Sequence, residues 1–133
     1  MSWDVLLHRA PDGATVADLP EDSALPPLGS PAEVRETIRA TLPEVDLSDP
    51  TWGVLHGPTW TIELLTDEED PVTLLTLQVR GTGDDALVPI FDLARALDCV
   101  VEDTTAGRLL NGPEDTDGWH SFQSFRAQVF GGL

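Results

Sequence analysis

Hydrophobic residues alternate with polar ones along several short stretches of the chain, which is the period of a β-strand with one buried side. In the stretch 3–9, Trp3, Val5 and Leu7 share one side of such a strand. Leu6 makes the other side partly apolar as well. A strand that is apolar on both sides is typical of the interior of a sheet, so we predict an inner strand here.

Two further stretches predict a three-stranded meander. Residues 51–66 predict a hairpin with its turn near 56–59, and the acidic segment 67–71 predicts a second turn before a strand over 72–80. In the last two strands the inward positions alternate, and they are Trp60, Ile62, Leu64, Leu75, Leu77 and Val79.

The stretch 30–43 predicts a helix. Ser30 suits the N-cap, Pro31 suits the first helical position, and Glu33 completes a capping box, while Pro43 ends the helix. The buried stripe recurs every four residues and consists of Val34, Ile38 and Leu42.

A second helix is predicted after a Gly-Thr-Gly link at 81–83, which we interpret as a flexible hinge, with Asp84 or Asp85 as its cap. Pro89 is tolerated because it falls in the first turn. A short strand over 99–103 follows. The apolar face of the helix comprises Leu87, Ile90, Phe91, Ala94 and Leu97.

The segment 111–125 combines acids, a histidine and aromatic residues, and Asp115-Thr116-Asp117-Gly118 resembles half of a calcium loop. The EF-hand pattern fails, because Pro113 and Ser124 stand where acids are required. We therefore predict a third helix capped by Asp115 or Asp117. Its apolar stripe has three- and four-residue spacing and consists of Trp119, Phe122, Phe125 and Val129.

These elements predict one α+β domain over 1–133, with the order β-α-β-β-β-α-β-α. A mostly antiparallel sheet of about five strands carries the helices on one face, and residues 11–29 form a long, Pro-rich acidic loop. The predicted core consists of Val34, Ile38, Leu42, Trp60, Ile62, Leu75, Leu77, Ile90, Phe91, Leu97, Phe122 and Phe125.

The strong negative charge indicates more about function than any motif of this chain does. Asp and Glu number 24 against seven arginines and no lysine, giving a net charge of −17 among 133 residues. Such a field repels phosphate backbones and argues against nucleic-acid binding. It favours a basic protein partner. The alternative is that the excess acid only maintains solubility or suits a salty cytoplasm.

The surplus acid is concentrated in loops and turns, where it predicts a partner-binding surface. Trp52 is a candidate anchor, since tryptophan is favoured at the centre of interfaces; its alternative is a half-buried residue at the end of a strand. The candidate partner-binding residues are Trp52, Asp67, Glu68, Glu69, Asp70, Glu114, Asp115 and Asp117.

No catalytic motif accompanies this charge, and we predict a binding protein without enzymatic activity, cofactor or metal. Cys99 lies between a helix and a strand, where a thiol is an inert small hydrophobe. The alternative is an enzyme, a small metal-dependent hydrolase. Its metal site would be formed by acidic residues and three histidines that converge in space: His8, His56 and His120.

The single cysteine, the acidic start and the lack of a long apolar run predict a cytoplasmic protein without signal peptide or membrane span. The SWDV start, the DLSDPTWG stretch at 46–53 and the C-terminal GWHSFQSFR resemble a group of small acidic bacterial proteins that carry no established activity. The resemblance implies a single α+β domain from a bacterial cytoplasm. Some toxin-neutralising immunity proteins are also small and acidic. They are an analogy for the kind of protein that this chain is, without a shared motif.

Overall fold

A seven-stranded antiparallel sheet forms the frame of the protein in the residues that the structure describes. The structure is a computed structural model that describes residues 2–9, 26–49, 52–66 and 70–130, with backbone only for 126–130. Across the sheet the strands follow the order β2-β3-β4-β5-β1-β6-β7. Their bounds are β1 Trp3–His8, β2 Asp46–Asp49, β3 Trp52–His56, β4 Trp60–Thr66, β5 Leu75–Gly81, β6 Val100–Asp103 and β7 Arg108–Leu109.

Three α-helices accompany the sheet in the described part of the chain: α1 over Pro31–Thr41, α2 over Leu87–Leu97 and α3 over Asp117–Phe130. A 3-10 turn over Asp84–Ala86 leads into α2. None of these helices is long and apolar enough to cross a membrane. The predicted α+β class with an antiparallel sheet is confirmed, although about five strands was too low a count.

Strand β1 lies between β5 and β6, so its predicted interior position is confirmed. Trp3 pairs with Val79, and Val5 pairs with Leu77 on β5 and with Asp103 on β6. Because paired residues point to the same side of a sheet, alternation in each strand places all these side chains on one face.

The helices cover that one face of the sheet. The buried cluster formed by the inward residues of the strands also contains residues of all three helices. These are Val34 and Ile38 of α1, Leu87 and Ile90 of α2, and Trp119 of α3. The opposite face is half-exposed, as Glu63 and Arg80 illustrate by pairing there across neighbouring strands. The predicted placement of helices on one face is therefore confirmed.

The two strands that the pattern did not predict are both at the edges of the sheet. β2 has the sequence DLSD and pairs irregularly with β3, and β7 is two residues long and pairs with β6. Neither has an alternating apolar side, because an edge strand is held by backbone hydrogen bonds to its neighbour more than by burial. Hydrophobic period alone therefore gives no sign of them.

Helix α1 matches its prediction in detail. It begins after Ser30, whose hydroxyl accepts a hydrogen bond from the Glu33 amide (3.2 Å), while the Glu33 carboxylate accepts one from the Ser30 amide (3.1 Å). Pro31 occupies the first helical position. Val34 and Ile38 are buried, whereas Leu42, the C-cap residue, is only half-buried.

The start of α2 differs from its prediction. Asp84 and Asp85 lie in the 3-10 turn, and Ala86 is the N-cap residue of α2 without a side-chain cap hydrogen bond. The tighter turn intervenes and moves both acids out of the capping position, so the predicted cap was wrong. All five residues predicted for the apolar face of α2 are buried: Leu87, Ile90, Phe91, Ala94 and Leu97.

The Gly-Thr-Gly link before this turn packs tightly against the β3–β4 hairpin, so the predicted flexible hinge was wrong. The Thr82 amide donates to the Thr59 carbonyl (2.9 Å), and the Thr59 hydroxyl donates to the Thr82 carbonyl (2.7 Å). Gly81 has a φ of +101°, and a Cβ there would lie 2.3 Å from the Thr59 carbonyl oxygen. Glycine is required for this close approach.

Ten of the twelve predicted core residues are buried, and the exceptions are Leu42 and Phe125. Phe125 is 53% exposed, so its assignment to the core was wrong. The spacing in α3 selects the correct side of the helix for Trp119 and Phe122, which are buried. The described residues do not include the side chain of Val129 or residues 11–25 of the predicted long loop. In the described end of that loop, Leu28 is buried.

Two phenylalanines provide a matched test of this core. Phe91→Ala should lower the free energy of unfolding by about 3–5 kcal/mol, because it opens a cavity beneath α2. Phe125→Ala removes an exposed ring and should cost less than about 1 kcal/mol. Urea unfolding of both variants measures the difference, and equal midpoints would contradict this description of the core.

Candidate functional site

A groove of about 730 Å³ opens at one end of the sheet, where the end of α1, the β3–β4 turn and the start of α2 meet. We call it the acidic groove. Its floor is apolar and includes Leu42, Leu55 and Trp60. Val88, at the start of α2, adds an aliphatic side chain that is 48% exposed.

The β3–β4 turn positions Trp60 in the floor of the acidic groove. The Gly57 amide donates to the Trp60 carbonyl (2.8 Å), which closes the hairpin. A Cβ at Gly57 would lie 2.3 Å from the indole, so only glycine lets the ring lie against the turn. Trp60 is buried, yet its indole Nε1 has no hydrogen-bond partner among the described residues. A buried indole N–H normally has a partner, so this donor is unusual.

Three carboxylates stand among the described residues that line the groove, and none of those residues is an arginine. Glu44 follows α1, Asp85 lies in the 3-10 turn, and Asp92 lies one turn into α2. Asp92 also accepts a hydrogen bond from Arg95 on the same helix. An apolar concavity with negative groups at its margin matches a ligand that combines aliphatic or aromatic groups with positive charge.

The predicted anchor Trp52 lies away from the acidic groove. It is the first residue of β3, whereas the groove is lined by the last residues of that strand. Trp52 is exposed, and its indole donates to Glu63 on the outer face of the sheet (3.2 Å). Asp67, Glu68 and Glu69 lie outside the described residues, and Asp70 beyond them is exposed.

The acids predicted before α3 have separate roles. Asp115 accepts hydrogen bonds from the Arg108 guanidinium (3.1 Å at Oδ2) and from the Asn111 amide (3.0 Å). It ties β7 to the loop before α3, and Asp117 is the first residue of the helix. Glu114 and Asp117 are exposed. The sequence indicated that acids cluster before α3, but it did not indicate that Asp115 is the one that pairs with Arg108.

The three histidines have three different partners. His8 Nε2 lies 3.0 Å from Glu102, His120 Nε2 lies 2.7 Å from Asp84, and His56 Nδ1 lies 3.5 Å from the Thr61 hydroxyl. Within the described ranges, no group of three or more His, Cys, Asp or Glu side chains is arranged to hold a metal ion. The convergence that the hydrolase alternative requires is therefore not found there.

Cys99 is partly buried beside the end of α2. Desolvation raises the pKa of its thiol to about 12, more than the positive charge of Arg9 lowers it. Because the thiolate is the nucleophilic form, this cysteine stays unreactive at neutral pH. Its geometry agrees with the interpretation of Cys99 as a small hydrophobic residue.

No protein family, curated protein or solved structure that was compared with this chain matches it. The site is therefore defined by its own geometry. The sequence pattern does not predict the acidic groove, because the three segments that line it are far apart in the chain. The local signal that could have indicated it is the Gly57-Pro58-Thr59-Trp60 turn, in which a large indole directly follows a tight bend.

The Arg108–Asp115 pair generates a prediction about pH. Asp115→Asn should lower the free energy of unfolding by about 1 kcal/mol at neutral pH, because the Arg108 side chain is 39% exposed and solvent screens the pair. Hydrogen bonds from Arg108 hold the pKa of Asp115 below its ordinary 3.8. The stabilisation is therefore complete above pH 3.8 and disappears as the pH falls through the lower value in the folded protein.

Thermal unfolding of both proteins from neutral to strongly acidic pH measures this effect. The two melting temperatures should differ at neutral pH and converge at the acidic end. Glu114→Gln, at an exposed neighbour, is the control and should leave the melting temperature close to that of the unmodified protein. A difference that persists unchanged in strong acid would contradict the role assigned to the pair.

Proposed function

We propose that this protein is a binding or regulatory protein without catalytic activity, and that it engages a basic protein partner through the acidic groove. The observation that carries the proposal is the groove itself: an apolar floor that includes Leu55 and Trp60, with three carboxylates among the residues that line it. A basic segment with apolar side chains would place those side chains on Trp60 and Val88 and its positive charges beside Glu44, Asp85 and Asp92.

The disposition of the arginines supports a surface that attracts cations. Each of the six arginines whose side chain the structure describes donates a hydrogen bond within the chain. Arg9 and Arg35 donate to backbone carbonyls, and the other four pair with carboxylates. Because these cations are already engaged, exposed acids such as Glu44, Asp85 and Asp98 have no ion-pair partner among the described residues and are available to a basic ligand.

The same field argues against nucleic acid as the partner, because like charges repel. A reducing cytoplasm is the proposed setting, where a single free thiol persists. An immunity protein that neutralises a basic toxin is one form that this function would take. The exposed acids beyond the groove, including Asp70, Glu114 and Asp117, would then accelerate encounter without contributing a specific contact.

The proposal is tested with two variants that remove the same charge from different places. The groove variant carries Glu44→Gln, Asp85→Asn and Asp92→Asn. The matched variant carries Asp98→Asn, Glu114→Gln and Asp117→Asn, all at exposed positions outside the groove. Both variants should fold, because none of these carboxylates is buried.

Each protein is immobilised and exposed to a lysate of its native host at low salt, and bound proteins are released at high salt. We expect a basic protein from the unmodified and matched proteins but not from the groove variant, because salt screens an electrostatic contact. The purified partner should then bind with an affinity at least about tenfold weaker to the groove variant. Equal binding to both variants, or no basic protein retained, would overturn the proposal.

A third variant separates the groove from the acidic turn. Asp67, Glu68, Glu69 and Asp70 are replaced together by Asn or Gln. If binding is lost in this variant and kept in the groove variant, the partner contacts the turn and the assignment to the groove is wrong. Val88→Ser tests the apolar component, and it should weaken binding at high salt as well as at low salt, because that contribution is not screened.

A further inference from the structure

A second pocket, of about 570 Å³, lies between the β6–β7 turn and the first turns of α3. We call it the Asp103 pocket. Its walls are mostly apolar and include Phe122 and Phe125, while Ser121 and Asp117 stand at its margin. It shares no lining residue with the acidic groove.

Asp103, the last residue of β6, forms part of the pocket wall and is 0% exposed. One carboxyl oxygen, Oδ1, accepts hydrogen bonds from the amides of Thr105 (3.0 Å) and Ala106 (3.1 Å) and thereby shapes the turn. The other oxygen, Oδ2, is buried and has no partner among the described residues.

Gly118 leaves the space that Oδ2 occupies. It lies in the first turn of α3 and also lines the pocket, and a Cβ at this position would stand 2.0 Å from Oδ2. Any other residue would displace the carboxyl group or the helix. Leaving a buried carboxyl oxygen without a donor is costly, and such groups are rare in folded proteins. The turn needs Oδ1 only, so the cost of Oδ2 is not explained by the fold.

We propose that the Asp103 pocket binds a small organic cation, a primary ammonium group attached to an aromatic or aliphatic body. A small shift of the Asp103 carboxyl group would open the buried Oδ2 to the pocket, where the ammonium donates to it, and the body lies against Phe122 and Phe125. An aromatic face also attracts a cation directly. A pocket of this size, with apolar walls and one polar group that fixes orientation, is typical of small-molecule sites.

The surroundings of Asp103 favour this ligand over an anion or a metal ion. Arg108 lines the pocket but its guanidinium is engaged by Asp115, so no free cation within the lining attracts an anion. A hard metal ion takes six or more oxygen ligands. Among the described residues no group of three or more metal-ligating side chains is present. One carboxyl oxygen in an apolar wall matches a single ammonium group.

Phenethylamine is the probe, and 2-phenylethanol is its neutral counterpart with the same ring and chain length. Titration of isotope-labelled protein, followed by amide chemical shifts in NMR, measures both. We expect saturable shifts with phenethylamine at residues of the β6–β7 turn and of α3. The alcohol should bind at least about tenfold more weakly, since its hydroxyl group carries no positive charge to pair with the carboxylate.

Asp103→Asn is the decisive variant. An asparagine oxygen can still accept the bonds from Thr105 and Ala106, so the turn is retained, while the amide nitrogen replaces Oδ2 and repels the ammonium group. Binding of phenethylamine should fall at least about tenfold, with a melting temperature that is unchanged or higher. Asp98→Asn, an exposed position outside the pocket, is the control and should bind phenethylamine normally.

Phe125→Ala keeps the test decisive if Asp103→Asn fails to fold, because this ring is exposed and its removal leaves the core intact. It should weaken phenethylamine binding and leave the spectrum of the free protein largely unchanged. Equal affinities for the amine and the alcohol, unchanged binding in Asp103→Asn, or no saturable shift at millimolar phenethylamine would each overturn the proposal. Binding of the basic protein to the acidic groove should be unaffected by Asp103→Asn, so the two proposals fail separately.

Discussion

The contact of Trp119 with Trp3 packs helix α3 against strand β1, and the Asp103 pocket lies beside it. The ring centroids are 5.3 Å apart, and Phe122 stacks on Trp119 at 5.7 Å with an interplanar angle of 8°. The Trp119 indole also donates to the Gly83 carbonyl (3.0 Å). One side chain of α3 therefore fixes the helix to strand β1 and to the link that precedes α2. Large aromatic rings suit this role because each buries much apolar surface in a defined geometry.

The position of α3 has direct consequences for the chemistry at this end of the sheet. It brings Gly118 against Asp103, so the first turn of the helix becomes a wall of the Asp103 pocket. It also places His120 beside Asp84, next to the acid Asp85 that belongs to the groove. Five buried polar atoms have no partner among the described residues, and two of them, Trp60 Nε1 and Asp103 Oδ2, belong to residues that line these two sites. Polar groups left unsatisfied at pockets reduce stability, and this is the pattern expected where a fold retains binding groups.

The charged residues of this protein have two roles: some connect elements of the fold, and others are exposed to solvent. The arginines tie elements together: Arg9 reaches the end of α2, Arg35 reaches the carbonyl of Leu47 on the edge strand, and Arg108 holds Asp115. Other acids, among them Glu44, Asp85 and Asp98, are exposed and have no ion-pair partner among the described residues. Because the described arginines are engaged within the chain, such acids make the exterior strongly negative. Because exposed acids lie near both proposed sites, we expect a positively charged ligand at each of them.

Features that depend on neighbouring residues could be predicted from the amino-acid sequence alone. The capping box of Ser30 and Glu33, the β3–β4 hairpin and the inward residues of β1 follow from contacts or periods spanning a few positions. The edge strands, the exposure of Phe125 and the partner of Asp115 were decided only by tertiary structure, because each depends on what a distant segment covers or pairs with. The acidic groove joins three separate segments, and the Asp103 pocket requires Gly118 to meet a strand fifteen residues earlier in the chain. Local physics specifies elements, whereas sites between elements exist only once packing has brought them together.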